Sequence, residues 1–540
     1  MADQNPPVFF RHGGFSFPAR LNRATGEKSM NMLRNMATLM LCCGAAAAQP
    51  AGLAPVGFTA TQDHQNMMDQ LGITRLRPGA NGNPLGKGHA NYDEATALHY
   101  GDIPALMTLR NGRPVRNAAD WKTRRAEIAT DLEREVVGRI PGDVPAVTWS
   151  VRAVDHERIG RAAVTAYDLV GHADNTAYPA IKVDIRATLV LPDGAKAPVP
   201  VLIMFGRAGF PAPAQPSADE LADINATLKQ VMADKNPSLR AVFEAHPGWQ
   251  PQIAPPLFQP VPLNADGDPP NQNQLAADGW GYVLLDPASA QADNGAGLTR
   301  GIIGLTNKGQ PRKPDDWGAL RAWGWAASRT LDYLQSRPEV DARHIGIDGV
   351  SRYGKAALVA MAFDTRFAMV LVGSSGEGGA KLHRHDIGEK VENLTDATEY
   401  HWMAGNFLKY GAETARFGRK DAGDLPVDGH ELVALCAPRL TFISYGIPGV
   451  PIPSGDALWQ DQAGSYMAAV AAQPAWTIQG AKGLGVSTNW RTEQKPPVNQ
   501  GLLDGELAWR QHDGGHTDAP NMKWFIQWVD RKIGHVPPEQ

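Results

Sequence analysis

From residue 199 onward, apolar runs of strand length alternate with stretches of helix-forming composition, and this alternation leaves few folds open. The runs are VPVLIMF (199–205), GYVLLD (281–286), HIGIDG (344–349), FAMVLVG (367–373), RLTFISYG (439–446) and LAWRQH (507–512). Helices are predicted from about Asp315 to Gln335, from Arg352 onward, and over Met522–Arg531. Runs without a polar face need cover on both sides, which crossover helices joining parallel strands provide. Upstream, VTWSVRAV (147–154), AAVTAYDLV (162–170) and IKVDIRATLVLP (181–192) follow one another without helices, so an antiparallel edge is expected. Before them, Asn117–Val137 has helical composition with a Trp121, Ile128, Leu132 stripe. The expected class is α/β: a mostly parallel central sheet with helices on both faces, a three-layer sandwich with long loop insertions.

Composition narrows the partners. With 52 Lys+Arg against 56 Asp+Glu the net charge is −4, which argues against a nucleic-acid partner. Segment 206–276 holds 12 of the 42 prolines. It leaves the sheet after a strand, on the side where open α/β folds bind ligands, and is expected to form a rim or lid.

Residues 30–48 (MNMLRNMATLMLCCGAAAA) read as a secretory leader. Arg34 supplies the positive start, Met36–Ala48 the apolar run, and Ala46-Ala47-Ala48 a small-residue cleavage site. The run is too short for a bilayer, which needs about 20 residues, so no membrane span is expected. Translation is expected to start at Met30 or Met32, with residues 1–29 an upstream extension and the protein secreted or periplasmic. Cleavage near Ala48 removes Cys42 and Cys43 and leaves Cys436 without a disulfide partner. Residues 49–116 then form a polar N-terminal segment, and 117–540 a single catalytic domain expected to act as a monomer.

The most informative stretch is HIGIDGVSRYGKAALVAMAF (344–363), a buried strand that turns at Gly349-Val350-Ser351-Arg352-Tyr353-Gly354 straight into a helix. A serine at such a corner exposes its Oγ at a helix N-terminus, where backbone N–H groups and the dipole stabilise an oxyanion. The pattern departs from G-x-S-x-G, because Tyr353 takes the second glycine position and Gly354 follows it. Ser351 is thus the candidate nucleophile of an α/β-hydrolase fold. Its base is expected in the loop after the last strand: His516, with His512 as competitor. The acid is either Asp456, after RLTFISYG, or Glu377, in GSSGEGG; either would orient the imidazole and stabilise its protonated form.

With these residues in view, the chain from about Asp120 to its end resembles the glucuronoyl esterases, carbohydrate esterase family fifteen. The motifs are SRYGKAAL (351–358), SGEGGAKL (375–382), GEKVENL (388–394), HWMAGNFLKY (401–410), LPVDGHELVALCAPR (425–439), DALWQD (456–461) and the GGH ending at His516. The resemblance implies hydrolysis of the ester joining 4-O-methyl-glucuronic acid on xylan to lignin alcohols. It implies that Ser351 is the nucleophile, His516 the base, and Arg352 the donor completing the oxyanion hole. Lys355 would bond sugar hydroxyls, Glu389 the sugar ring, and Trp459 would be a platform for the pyranose. Val350 stands where many relatives have Cys, and the usual acid position falls on Ser374, which cannot serve. Some bacterial relatives place the acid one strand later, which favours Asp456 over Glu377.

Two other readings stay open: a general carboxylesterase or acetylxylan esterase on the same scaffold, and a carbohydrate-binding pseudo-hydrolase, kept alive by Ser374. His383, His385, Asp386 and His401 imitate a metal cluster but match no standard zinc spacing, so no metal or cofactor is expected.

Overall fold

The computed structural model describes residues 54–538, apart from 84, 99, 213–217, 250–262, 265, 449–454 and the side chains of 218, 455 and 456. The expected leader therefore lies outside the described residues. Residues 52–540 make one compact unit. Its sheet comprises β1 (Val147–Ile159), β2 (Ala162–Ala173), β3 (Asp184–Pro192), β4 (Val199–Phe205), β5 (Gly281–Asp286), β6 (Val340–Val350), β7 (Met369–Gly373), β8 (Leu440–Gly446), β9 (Gly501–Leu502) and β10 (Leu507–His512). The spatial order is β9-β10-β8-β7-β6-β4-β5-β3-β2-β1. The centre from β5 to β10 is parallel, while β1, β2 and β3 form the antiparallel edge that the helix-free opening implied.

The continuous apolar runs divide between two faces with the period of two that a pleated strand imposes. In β7, Val370 and Val372 join one core while Met369 and Leu371 join the other; in β4, Val201 and Ile203 oppose Leu202 and Met204. The first core lies under α1 (Ala60–Leu71), α2 (Ala118–Leu132), α3 (Ala319–Gln335), α4 (Arg352–Phe363) and α5 (Gln462–Ala472), and contains Trp121, Trp317, Trp323 and Trp476. The second lies under α6 (Ala519–Ile533), where Phe525 and Trp528 meet Phe442 edge to face. Trp528 is fully buried and donates its indole N–H to Gly505 O at 3.0 Å.

Helix starts follow capping chemistry. Asn117 accepts from the backbone of Ala119 and Asp120 and begins α2, which continues through Glu133–Val137 as a π-helical turn. The helix expected from Asp315 begins instead at Ala319, because the Asp316 carboxylate accepts the Lys313 N–H and the Asn307 amide and closes a turn there. Residues 54–116 are more than a polar lead-in. Thr59 and Gln62 form a capping box that opens α1, whose Met67 and Met68 enter the main core. Among its described residues, segment 206–276 forms helices at Ala218–Lys235, Leu239–Ala245 and Asn271–Ala277. No helix of the described residues is long and apolar enough to cross a membrane.

Candidate active site

The strand β6 enters a turn in which Ser351 takes φ 61° and ψ −130° before α4 begins at Arg352. A side-chain-bearing residue there stores about 1–3 kcal/mol of strain, tolerated only where the surroundings over-determine it. They do. The Ser351 N–H donates to Gly373 O on the neighbouring strand at 2.8 Å, and Ser351 O accepts the Lys355 N–H at 3.0 Å. The displaced glycine of the motif also finds its reason. A Cβ on Gly354 would stand 2.6 Å from Gly373 O, and one on Gly349 would stand 2.3 Å from Tyr353 O. The helix passes so close to both strands that only hydrogen fits. Tyr353, in the unusual position, packs its ring against Phe205 and Trp323.

Ser351 opens into a cleft of about 440 Å³. Its walls bring together Ser351, Arg352, Lys355, Glu389, Trp459 and His516, six of the residues singled out from sequence. Val350 lines it too, with four residues to which the sequence reading gave no site role: Tyr353, Glu399, Trp402 and Gln460. Of the described residues in 206–276, none lines this cleft; the expected rim is built instead by the 389–402 stretch and the Trp459 turn. Lys355 and Glu389 are both buried and form an ion pair at 2.9 Å on the cleft floor. Glu389 Oε2 also accepts the Glu377 N–H at 2.9 Å, so this carboxylate has the partners a buried charge requires. Arg352 and Lys355 stand over the Trp402 ring at 5.2 and 5.4 Å. Glu399 Oε2 is buried without a hydrogen-bond partner among the described residues. Burial, reinforced by the Glu389 charge, pushes the Glu399 carboxyl up to about 7, against the pull of Lys355 and Arg352.

The two histidine candidates separate clearly. His512 is buried and engaged on its own loop: Nε2 donates to Thr517 O at 2.9 Å, and Nδ1 accepts the Gly514 N–H at 3.0 Å. Burial lowers its pKa to about 4. His516 lies on the cleft wall with Ser351. Of the two candidate acids, only Glu377 has a described side chain. Glu377 is fully buried, one oxygen bonded to His383 Nδ1 and the other 3.3 Å from Lys381 Nζ. Glu377 and His383 are not among the residues lining the cleft. The Asp456 backbone belongs to the helical turn Gly455–Leu458, immediately before Trp459, but its side chain lies outside the described residues. Ser374, at φ 38°, is buried and accepts the Gly446 N–H on Oγ at 3.3 Å.

The histidines that resembled a metal cluster go to different carboxylates: His383 to Glu377, His385 to Asp461 and Glu94, His401 to Asp293. Two groups of described residues are close enough to offer three ligand atoms to one cation, Glu94–His385–Asp461 and Asp278–Asp530–His535. In the first, both imidazole nitrogens already face carboxylates at 2.6 and 2.9 Å. Despite the cost of burial, Asp461 and Glu94 raise the His385 pKa to about 10, which keeps it a cation rather than a ligand.

A parallel-centred sheet carrying a strained serine at a strand–helix corner, over a cleft that also holds a histidine, defines a carboxylic ester hydrolase of the α/β-hydrolase fold. A family profile described as "Glucuronyl esterase, fungi" matches residues 312–480. The chain is 31% identical to a 4-O-methyl-glucuronoyl methylesterase of Phanerochaete carnosa, covering 70% of this chain and 72% of that protein. Among solved structures, a CE15 glucuronoyl esterase from Teredinibacter turnerae superimposes with a TM-score of 0.70 at 37% identity, covering 88% of this chain and all of the other. A glucuronoyl esterase from Solibacter usitatus follows with a TM-score of 0.60 at 27% identity, covering 81% and 99%. The chain belongs to carbohydrate esterase family fifteen, the glucuronoyl esterases.

Proposed function

We propose that this protein is a secreted, monomeric serine esterase that hydrolyses esters of 4-O-methyl-D-glucuronic acid in glucuronoxylan to lignin alcohols. The observation that carries the reading is the meeting of Ser351 and His516 with a buried Lys355–Glu389 pair and the Trp459 face in one cleft. A pyranose offers hydroxyls to such a pair and an apolar face to such a ring, so the cleft suits the uronate side of the ester. Ser351 Oγ attacks the ester carbonyl while His516 takes its proton, and the oxyanion is met by Arg352 and backbone N–H groups at the start of α4. The alcohol departs with the proton from His516. Water then attacks the acyl-enzyme by the same route and releases the uronic acid.

The engagement of Glu377 with His383 and Lys381 supports Asp456 as the acid that orients His516. The test is hydrolysis of benzyl glucuronate by wild type, Ser351→Ala, Asp456→Asn and Glu377→Gln. Loss in the first two variants with activity kept in the third is expected. Activity surviving in Asp456→Asn would return the role to Glu377, and a wild type that splits only aryl acetates would remove the sugar from the reading. Export is tested by N-terminal sequencing of the secreted protein, expected to begin at Gln49.

A further inference from the structure

The donor assigned to the oxyanion is tethered. Arg352 leaves 45% of its side chain exposed, and a guanidinium that free would lose its aim by sampling rotamers. Its Nη1–H donates to Asp293 Oδ2 at 2.7 Å. The other oxygen of Asp293 accepts His401 Nε2–H at 2.8 Å and Trp402 Nε1–H at 2.6 Å. One carboxylate thus fixes the guanidinium and the indole ring beneath it. Burial works against this anion, yet the bonds from His401, Trp402 and Arg352 hold its carboxyl below the usual range. His401, kept low by burial, stays neutral and leaves the charge of Asp293 for Arg352.

The charge balance matters because the reaction changes the charge of its ligand. The ester enters neutral at the acyl carbon, and the product leaves as a carboxylate whose oxygen occupies the former oxyanion position. An unbalanced arginine binds a carboxylate through two parallel hydrogen bonds and holds it. We propose that Asp293 is the positioning residue for Arg352: it fixes the guanidinium beside Ser351 and cancels its charge, so that Arg352 meets the transient oxyanion without retaining the anionic product. The inference rests on Arg352 serving the oxyanion, as in the reading above.

The experiment is a double-mutant cycle of Asp293→Asn and Arg352→Ala on benzyl glucuronate, with glucuronate as product inhibitor and folding followed by circular dichroism. Asp293→Asn is expected to lower kcat about tenfold, a fraction of the loss from deleting an oxyanion donor. It is also expected to tighten inhibition by glucuronate several-fold. Both effects should vanish in the Arg352→Ala background, which marks action through that residue. Asp293→Glu, with the charge kept on a longer arm, should lose turnover while keeping the wild-type inhibition constant. A folded Asp293→Asn with unchanged kcat and inhibition, or equal losses with and without Arg352, overturns the proposal. An aryl acetate is run in parallel, with acetate as its product. Should wild type split only that ester, the substrate reading falls while the Asp293 comparison is still read.

Discussion

The cleft has two walls built on opposite principles. On one side, the consecutive residues 340–363 set Ser351, Arg352 and Lys355 through a strand, a turn and a helix, with backbone hydrogen bonds and glycine contacts fixing the corner. On the other, the stretch from Ser374 to Trp402 has little regular structure, and its polar side chains are fixed by buried ion pairs. Lys381 is the hub there. It is fully buried, its Nζ donates to Ile387 O and Glu389 O, and it stands 3.3 Å from Glu377 and 3.8 Å from Asp461. The first wall is rigid because backbone geometry leaves no alternative. The second is rigid only while its charges remain balanced.

Breaking each wall should look different. Ser351→Gly is expected to cut ester hydrolysis by at least a thousandfold. It should also raise stability by about 1 kcal/mol, because glycine accepts the positive φ without strain; urea unfolding with an unchanged or lowered midpoint would contradict this. Lys381→Met removes the ammonium that faces two buried carboxylates, leaves Glu377 to His383 and Asp461 to His385, and should cost about 3 kcal/mol by the same measurement. A loss below 1 kcal/mol would show that the second wall does not depend on its hub.

Two smaller effects sharpen the contrast through pH. Beneath the first wall, burial and the neighbouring Asp518 raise the Asp348 carboxyl well above its usual value. The folded chain therefore keeps a proton that the unfolded chain releases above about pH 4, so stability falls as pH rises from there through the raised pKa. Asp348→Asn should flatten that fall between pH 5 and pH 8. In the second wall, Glu399, its carboxyl pushed up to about 7 by burial and the Glu389 charge, passes from neutral to charged around neutral pH. Glu399→Gln should remove an inflection near pH 7 from the profile of KM for a glucuronate ester, with little change for an aryl acetate.

The same division decided what could be read from sequence. The sheet, its antiparallel edge and the elbow were legible because apolar periodicity and a glycine-flanked serine are local signals. That His516 would reach the cleft was legible by its place after the last strand. Glu399 was not, since nothing within a few residues distinguishes it from an ordinary surface position, and Trp402, although inside the HWMAGNFLKY motif, carried no sign of facing the cleft. Only the fold brings Trp402 under Arg352 and Asp293 against both. The engagement of Glu377 with His383 was not legible either, because it depends on side-chain directions in an irregular segment. The α1 helix escaped notice although Thr59-x-x-Gln62 is a capping signature, since its few core residues are methionines within a polar stretch.

The early part of the chain has a consequence for the order of assembly. Asn91 O accepts the Gly388 N–H, Glu94 bonds His385, and the Trp459 ring packs so near Gly82 that a Cβ there would touch it at 3.4 Å. Every one of these contacts spans some 290 residues or more, so the closure entropy has to be met before any of them forms. On loop-closure grounds this segment is expected to be fastened after the residues it contacts, so that the Trp459 ring gains its backing late in folding.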